Sequence, residues 1–249
     1  RIVRSFLSAN GVDDKYLTAY PEHKSPISLA FLDDQNNATY SFYKEPFSGN
    51  TDWQCPTIRR DDIILFGSYY ALDPHMRHKV IALLNEARSA GAIIYYDINF
   101  RRNHQGEAIK LMGSVIENLE YADIVRGSDE DFSVLYRIGN GAQVYSQKTS
   151  FYCPRLIYSR GDQGVELHTS TIVKHYPIEP IVPVSTIGAG DNLNAGILYG
   201  IIRNRIRRDD LDLLTERDWD SIIRSGIRFS ADVCSHTENY ISQSFAEKE

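Results

Sequence analysis

The chain has 249 residues, of which 42% are hydrophobic and 24% charged, with a net charge of −6; this is the balance of a single globular α/β domain. The acidic surplus argues against nucleic acid as the main partner, because phosphate backbones favour a basic face, and no run of 18 apolar residues is present to span a membrane. The three cysteines, Cys55, Cys153 and Cys234, are odd in number without C-x-x-C spacing and read as reduced thiols of a cytoplasmic protein.

The opening "RIVRSFLSANG" reads as a helix, with Ile2, Val3, Phe6 and Leu7 on one face and Gly11 at its end. Two β-rich runs, "SPISLAFL" and "ATYSFY", are joined by five polar residues, 33–37, which predicts a hairpin. After an irregular stretch the rhythm changes. "DIILFG" is a short apolar strand, and Asp73-Pro74 stands as N-cap and N1 of a helix that Gly91 closes. "AIIYYD" is a strand, "GEAIKLMGSVIENL" a helix, "ADIVRG" a strand, "SDEDFSVLYRI" a helix and "RLIYS" a strand. A turn from Gly161 to Gly164 leads into two more strands, "VELHT" and "TIVKHY". A glycine turn then starts a helix carrying Leu193, Ile197 and Ile201, and a last helix from about Asp218 carries Trp219, Ile222, Ile223 and Ile227. Apolar strands alternating with helices imply a mostly parallel sheet with helices on both faces. The hairpin, residues 25–45, stands outside that alternation and is expected to form a small β lid within a single domain, residues 1–249.

Chemistry concentrates in "STIGAGDNLNAG", Ser185 to Gly196. A helix start leaves backbone N–H groups without partners at the positive end of the dipole, and glycine lets a ligand approach them closely. Gly188-Ala189-Gly190 is therefore a candidate anion cradle, and Asp191 a carboxylate placed to take a proton from a hydroxyl beside a held phosphoryl group. The plainer alternative is that Asp191 only stabilises the helix end, worth about 0.3–1 kcal/mol. A P-loop is excluded, since no Gly-Lys-Ser/Thr follows. A dinucleotide fingerprint is disfavoured because Leu193 stands where its third glycine belongs. His75 and His78, three apart on a helix without an acidic or cysteine partner nearby, read as a solvated face and not as a metal pair.

The same stretch resembles the second signature of the PfkB/ribokinase family of sugar and nucleoside kinases. Three further patches follow the family's order: "YDINFR" resembles its Asp-Pro-Asn-x-Arg stretch, "RGSDEDF" stands at its Asn-x-x-Glu, and "YSRGDQG" resembles its Thr-x-Gly-x-x-Gly turn. The resemblance implies a ribokinase-like fold and a kinase using ATP and Mg²⁺. It makes Asp191 the catalytic base and Gly188, Ala189 and Gly190 the anion hole. Ser159, Gly161 and Gly164 would contact ATP, and Asn99 and Arg101 would sit near the sugar or its incoming phosphate. Ser128 and Asp131 replace the family's Asn and Glu near magnesium, with the shorter Asp131 reaching the metal through water; the same pair also spells a helix capping box. Ser185 and Ile187 stand where Asp and Thr are more usual, which puts activation by a monovalent cation in doubt.

"DINFR" points to a fructokinase-like member acting on a primary hydroxyl of a ketose or related sugar. The alternatives are a nucleoside kinase of the same family and a non-catalytic sugar-binding regulatory module. The chain opens on Arg1 and lacks the family's Gly-Gly-x-x-x-Asn sugar patch, so the expectation is a preceding segment on the order of 30 residues or more. Alternating apolar residues on the hairpin, Ile27, Leu29 and Phe31, suggest a homodimer through the lid.

Overall fold

The computed structural model describes residues 2–20, 22–32, 38–43 and 55–249. They fall into two compact units, Arg1–Thr57 and Ile58–Glu249. The first holds helix α1 (Ile2–Ala9) and an antiparallel pair, β1 (Ile27–Leu32) and β2 (Ala38–Tyr43), with Ile27 opposite Tyr43. The turn expected between these strands, residues 33–37, lies outside the described residues.

The second unit is built on a six-stranded sheet whose strands lie side by side in chain order: β3 (Ile63–Gly67), β4 (Ile93–Asp97), β5 (Ile124–Ser128), β6 (Leu156–Ser159), β7 (Val165–His168) and β8 (Val173–Tyr176). The pairs from β3 to β6 are parallel; β7 and β8 add as antiparallel strands. Parallel neighbours need crossovers, supplied here by α2 (Arg77–Ala90), α3 (Ala108–Tyr121) and the pair α4 (Asp129–Tyr136) and α5 (Gly141–Val144). After the sheet come α6 (Ala189–Arg203), α7 (Glu216–Cys234) and the short α8 (Gln243–Ala246).

Strand alternation divides the core between the two faces. On β4, Ile93 and Tyr95 join Leu193, Ile197, Trp219, Ile222 and Ile223 of α6 and α7. Tyr96, one residue on, faces Leu111 and Val115 of α3 and Phe132 of α4. Both faces of the sheet are thus covered, as the near-continuous apolar strands require.

The helix expected at Asp73-Pro74 starts later, at Arg77, with Met76 as its N-cap. Asp73 Oδ1 accepts from His75 N (2.9 Å), a local turn that satisfies the amide without a helix. Gly91 does close α2, in the left-handed conformation. The last long helix begins at Glu216, two residues earlier than expected, because Thr215 and Asp218 form a full capping box. A single π turn, Tyr145–Thr149, follows α5 and carries no pattern in the sequence. Among the described residues no helix is long and apolar enough to cross a membrane.

Candidate active site

The parallel strands end along one edge of the sheet, with Gly67 beside Asp97, Asp97 beside Arg126, and Ser128 beside Ser159. Ligands of open α/β sheets gather at such carboxyl ends. A pocket of about 200 Å³ lies here, lined by Gly67, Ser68, Asp97, Asn99, Asp191 and Asn194 among others.

Helix α6 points its first turn at this edge. Gly188 is its N-cap at φ 83°, a conformation open to glycine at little cost. A Cβ there would also lie 2.8 Å from the Asn239 carbonyl oxygen. Ala189 N bonds to Thr186 O and Asn192 N to Gly188 O, but the amides of Gly190 and Asp191 meet no acceptor among the described residues. These are the orphan donors of a helix start. Asp191 sits in the same first turn with its side chain exposed. The protein around it and the Asp97 charge raise its carboxyl above the ordinary aspartate value, against the opposing pull of Arg126 and Arg101.

Beneath this turn lies a buried polar network. Arg126 donates from Nη1 to Asp97 Oδ1 (3.1 Å) and from Nη2 to Ser159 Oγ (2.8 Å). Asn194 donates to Asp97 Oδ2 (2.9 Å) and accepts from the Tyr95 hydroxyl (3.0 Å). Burial works against the charge on Arg126, but the Asp97 and Asp131 carboxylates outweigh it and hold the guanidinium protonated. A Cβ on Gly190 would lie 3.3 Å from Arg126 Nη2, so the cation sits directly against the helix start. Its Nε is buried without a hydrogen-bond partner.

Two wall residues of the pocket carry backbone strain. Ser68 adopts φ 63°, ψ −176°, a region used almost only by glycine, and Asn99 has φ 39°. Each such residue costs about 1–3 kcal/mol, and such strain concentrates at functional sites. Gly67 permits the turn into Ser68, because a Cβ there would lie 1.8 Å from the Asp97 carbonyl oxygen.

The remaining sequence-predicted residues divide. Asn99 lines the pocket, and its Oδ1 accepts from Arg101 Nε (3.0 Å). Ser159 is drawn into the Arg126 network. Gly161 and Gly164 form the turn after β6, where a Cβ on Gly161 would meet open space and one on Gly164 would strike the Tyr176 carbonyl. Ser128 and Asp131 complete a capping box at α4. Asp131 is turned inward: Oδ1 accepts from Phe100 N (2.7 Å), and Oδ2 accepts from the amide and hydroxyl of Ser128 (both 2.7 Å). Burial raises its carboxyl, opposed by Arg126 and by the Ser128 bonds. Sequence reasoning missed Arg126, Asn194, Gly67 and Ser68. The available signals were an arginine inside the apolar strand "ADIVRG" and asparagines, poor helix formers, on the buried side of α6.

The arrangement fits an anion: two unpaired helix amides, a glycine that leaves room, and a buried guanidinium against them. It does not form a metal cage, for among the described residues no group of three or more His, Cys, Asp or Glu side chains could hold an ion. A carboxylate at the mouth of a small pocket beside an anion cradle can exchange a proton with a hydroxyl held next to a bound anion.

Known proteins resemble this chain in sequence and in fold. A fructokinase of Salmonella typhimurium is 24% identical over 212 residues, covering 84% of this chain and 69% of its own length. The crystal structure of fructokinase from Vibrio cholerae O395, in its fructose-, ADP- and calcium-bound form, superposes with a TM-score of 0.80 at 18% identity, covering all of this chain and 80% of that one. Aminoimidazole riboside kinase from Salmonella enterica, complexed with aminoimidazole riboside and an ATP analogue, gives 0.79 at 20% identity, covering 96% and 76%. The family model described as pfkB family carbohydrate kinase matches residues 1–243. With that match running nearly end to end over a sheet of the same fold, the chain belongs to the pfkB family and is a carbohydrate kinase.

Proposed function

We propose that the protein transfers the γ-phosphoryl group of ATP to a primary hydroxyl of a ketose or related sugar, with Asp191 as general base. The observation that carries this reading is the position of Asp191. It stands exposed in the first turn of α6, lines the pocket, and adjoins the two unpaired amides of Gly190 and Asp191.

Asp191 accepts the proton of the attacking hydroxyl. Its raised affinity for a proton, set by its surroundings and by Asp97, makes it a better base than a free aspartate. The Gly190 and Asp191 amides, on the positive end of α6, receive the negative charge on the transferred group. Asp97 fixes α6 to the sheet through Asn194, and Arg126 holds Asp97 in turn. Asn99 and Arg101 orient the acceptor. Ser159, Gly161 and Gly164 border the nucleotide. ATP, when bound, supplies the phosphoryl group together with the magnesium its phosphates carry. Ser128 and Asp131 act in this reading as struts holding the strand end and Phe100, since their polar atoms already bond one another.

A pocket of about 200 Å³ suits a small ligand, below the roughly 300–1,000 Å³ of drug-sized sites. The structural likeness to aminoimidazole riboside kinase keeps a nucleoside acceptor as the second reading. The deciding experiment is ATP consumption against fructose, ribose, ketodeoxygluconate, adenosine and aminoimidazole riboside. The expected result is the highest kcat/KM on a ketose or keto-sugar acid. The highest value on a nucleoside overturns the acceptor, and no turnover on any of them overturns the kinase assignment of this site.

A further inference from the structure

The pocket has two walls on neighbouring strands: Gly67 and Ser68 at the end of β3, Asp97 and Asn99 at the end of β4. Each wall contains a non-glycine residue at positive φ, a conformation that persists only where the surroundings impose it. Three side chains just beyond these walls join them. Tyr69 follows Ser68 directly; His104 and Glu107 lie in the 3₁₀ turn Arg102–Glu107 that follows Asn99 and Arg101. The rings of Tyr69 and His104 stack with centroids 4.0 Å apart and planes 21° from parallel. Glu107 binds both: Oε2 accepts from the Tyr69 hydroxyl (3.0 Å), and Oε1 lies 3.1 Å from His104 Nδ1. The His104 ring also packs at a tilt against Phe100, 6.3 Å between centroids. Phe100 is itself pinned by the bond from its amide to Asp131.

We infer that Tyr69, His104 and Glu107 form a clamp that sets the distance between the two strained walls, and that they are positioning residues for the acceptor substrate. The inference rests on the proposed role of this pocket as the acceptor site. None of the three residues lines the pocket, so their effect passes through Ser68 and Asn99. A shift of about 1 Å at a reacting group can cost 10²-fold in rate, so releasing the clamp is felt mainly in how the acceptor is held. The nucleotide turn at 159–164 stands on a different strand end and is left alone.

The test uses Glu107→Ala, Glu107→Gln and Tyr69→Phe in the full chain, with steady-state KM for ATP and for the best acceptor of the wild-type panel. Glu107→Ala is expected to lower kcat/KM for the acceptor about 10–100-fold, mainly by raising the acceptor KM, with the KM for ATP unchanged. Glu107→Gln, whose amide can still accept from Tyr69 and donate to His104, is expected to recover most of the loss. Tyr69→Phe keeps the ring stack and is expected to fall between the two. An acceptor KM unchanged in Glu107→Ala, equal losses for acceptor and ATP, or a glutamine variant as impaired as the alanine overturns the clamp. If Glu107→Ala does not fold, Tyr69→Phe decides by the same two KM values. Absence of wild-type turnover on every acceptor is the separate failure of the underlying reading.

Discussion

Changing Asp97 to Asn removes the counter-ion of Arg126 while keeping the size of the side chain. The Asp97 and Arg126 side chains are only 10% and 9% exposed and bond at 3.1 Å. Both carboxylate oxygens of Asp97 face donors, Arg126 Nη1 on one and Asn194 Nδ2 on the other. An asparagine amide can satisfy only one of these, so its own NH₂ group must point at the second donor. Losing one partner of a buried ion pair costs about 3–5 kcal/mol. Arg126 keeps its bond to Ser159 and the nearby charge of Asp131, which places the expected cost toward the lower end, at about 3 kcal/mol. For a chain of this size that is a fall in Tm of roughly 6–12 °C, at about 2–4 °C per kcal/mol. Removing both charges together, Asp97→Asn with Arg126→Met, should cost less than the sum of the single changes by at least about 1 kcal/mol, the size of coupling measured between contacting groups. The assay is equilibrium unfolding in urea of the wild type, both single variants and the double variant, comparing midpoints at unchanged slope. A single-variant loss below about 1 kcal/mol, the worth of an exposed pair, or strict additivity in the double variant, refutes the buried-pair argument.

Gly188→Ala should destabilise by about 2 kcal/mol or more: the left-handed backbone alone costs an L-residue roughly 1–2 kcal/mol, and the new Cβ also meets the Asn239 carbonyl at 2.8 Å. Unfolding in urea checks this, and a neutral change contradicts it. Ser68→Gly relieves a strain of about 1–3 kcal/mol at an entropic cost of roughly 1 kcal/mol, so the variant should melt above wild type while binding acceptor more weakly; a lower Tm contradicts the strain. The raised Asp191 carboxyl means that the folded state holds its proton more tightly than the unfolded chain. The stability this group contributes is therefore present below the ordinary aspartate value of 3.8 and is lost as pH rises through the higher folded value. Melting temperatures of wild type and Asp191→Asn across pH 3–7, at ~1-unit steps, should diverge in favour of the variant toward neutrality, and parallel curves contradict this.

The succession of strands and helices was legible because each strand is a short apolar run bounded by polar or glycine residues, and because Leu193, Ile197 and Ile201 repeat at helical spacing. The start of α2 was not: Asp73-Pro74 has the composition of a helix cap, but the Asp73 side chain bonds His75 N and closes a turn instead. The helix start that carries Asp191 was legible because Gly188-Ala189-Gly190 stands directly before the apolar repeat of α6. Arg126 and Asn194 lie 29 and 97 residues from their common partner Asp97, and that meeting depends on strand register and on how α6 packs. Ser68 was hidden for another reason. Its residue type gives no hint of a positive φ.

The most direct test of the account is kcat of Asp191→Asn with ATP and the best acceptor, measured beside the Kd for ATP. Asparagine keeps the helix start and the amides of Gly190 and Asp191 and removes only the proton acceptor. The account predicts a fall in kcat of about 10²–10⁴-fold with ATP binding unchanged or tighter. A near-wild-type kcat in the folded variant contradicts Asp191 as the base and reduces the glycine turn to a helix cap.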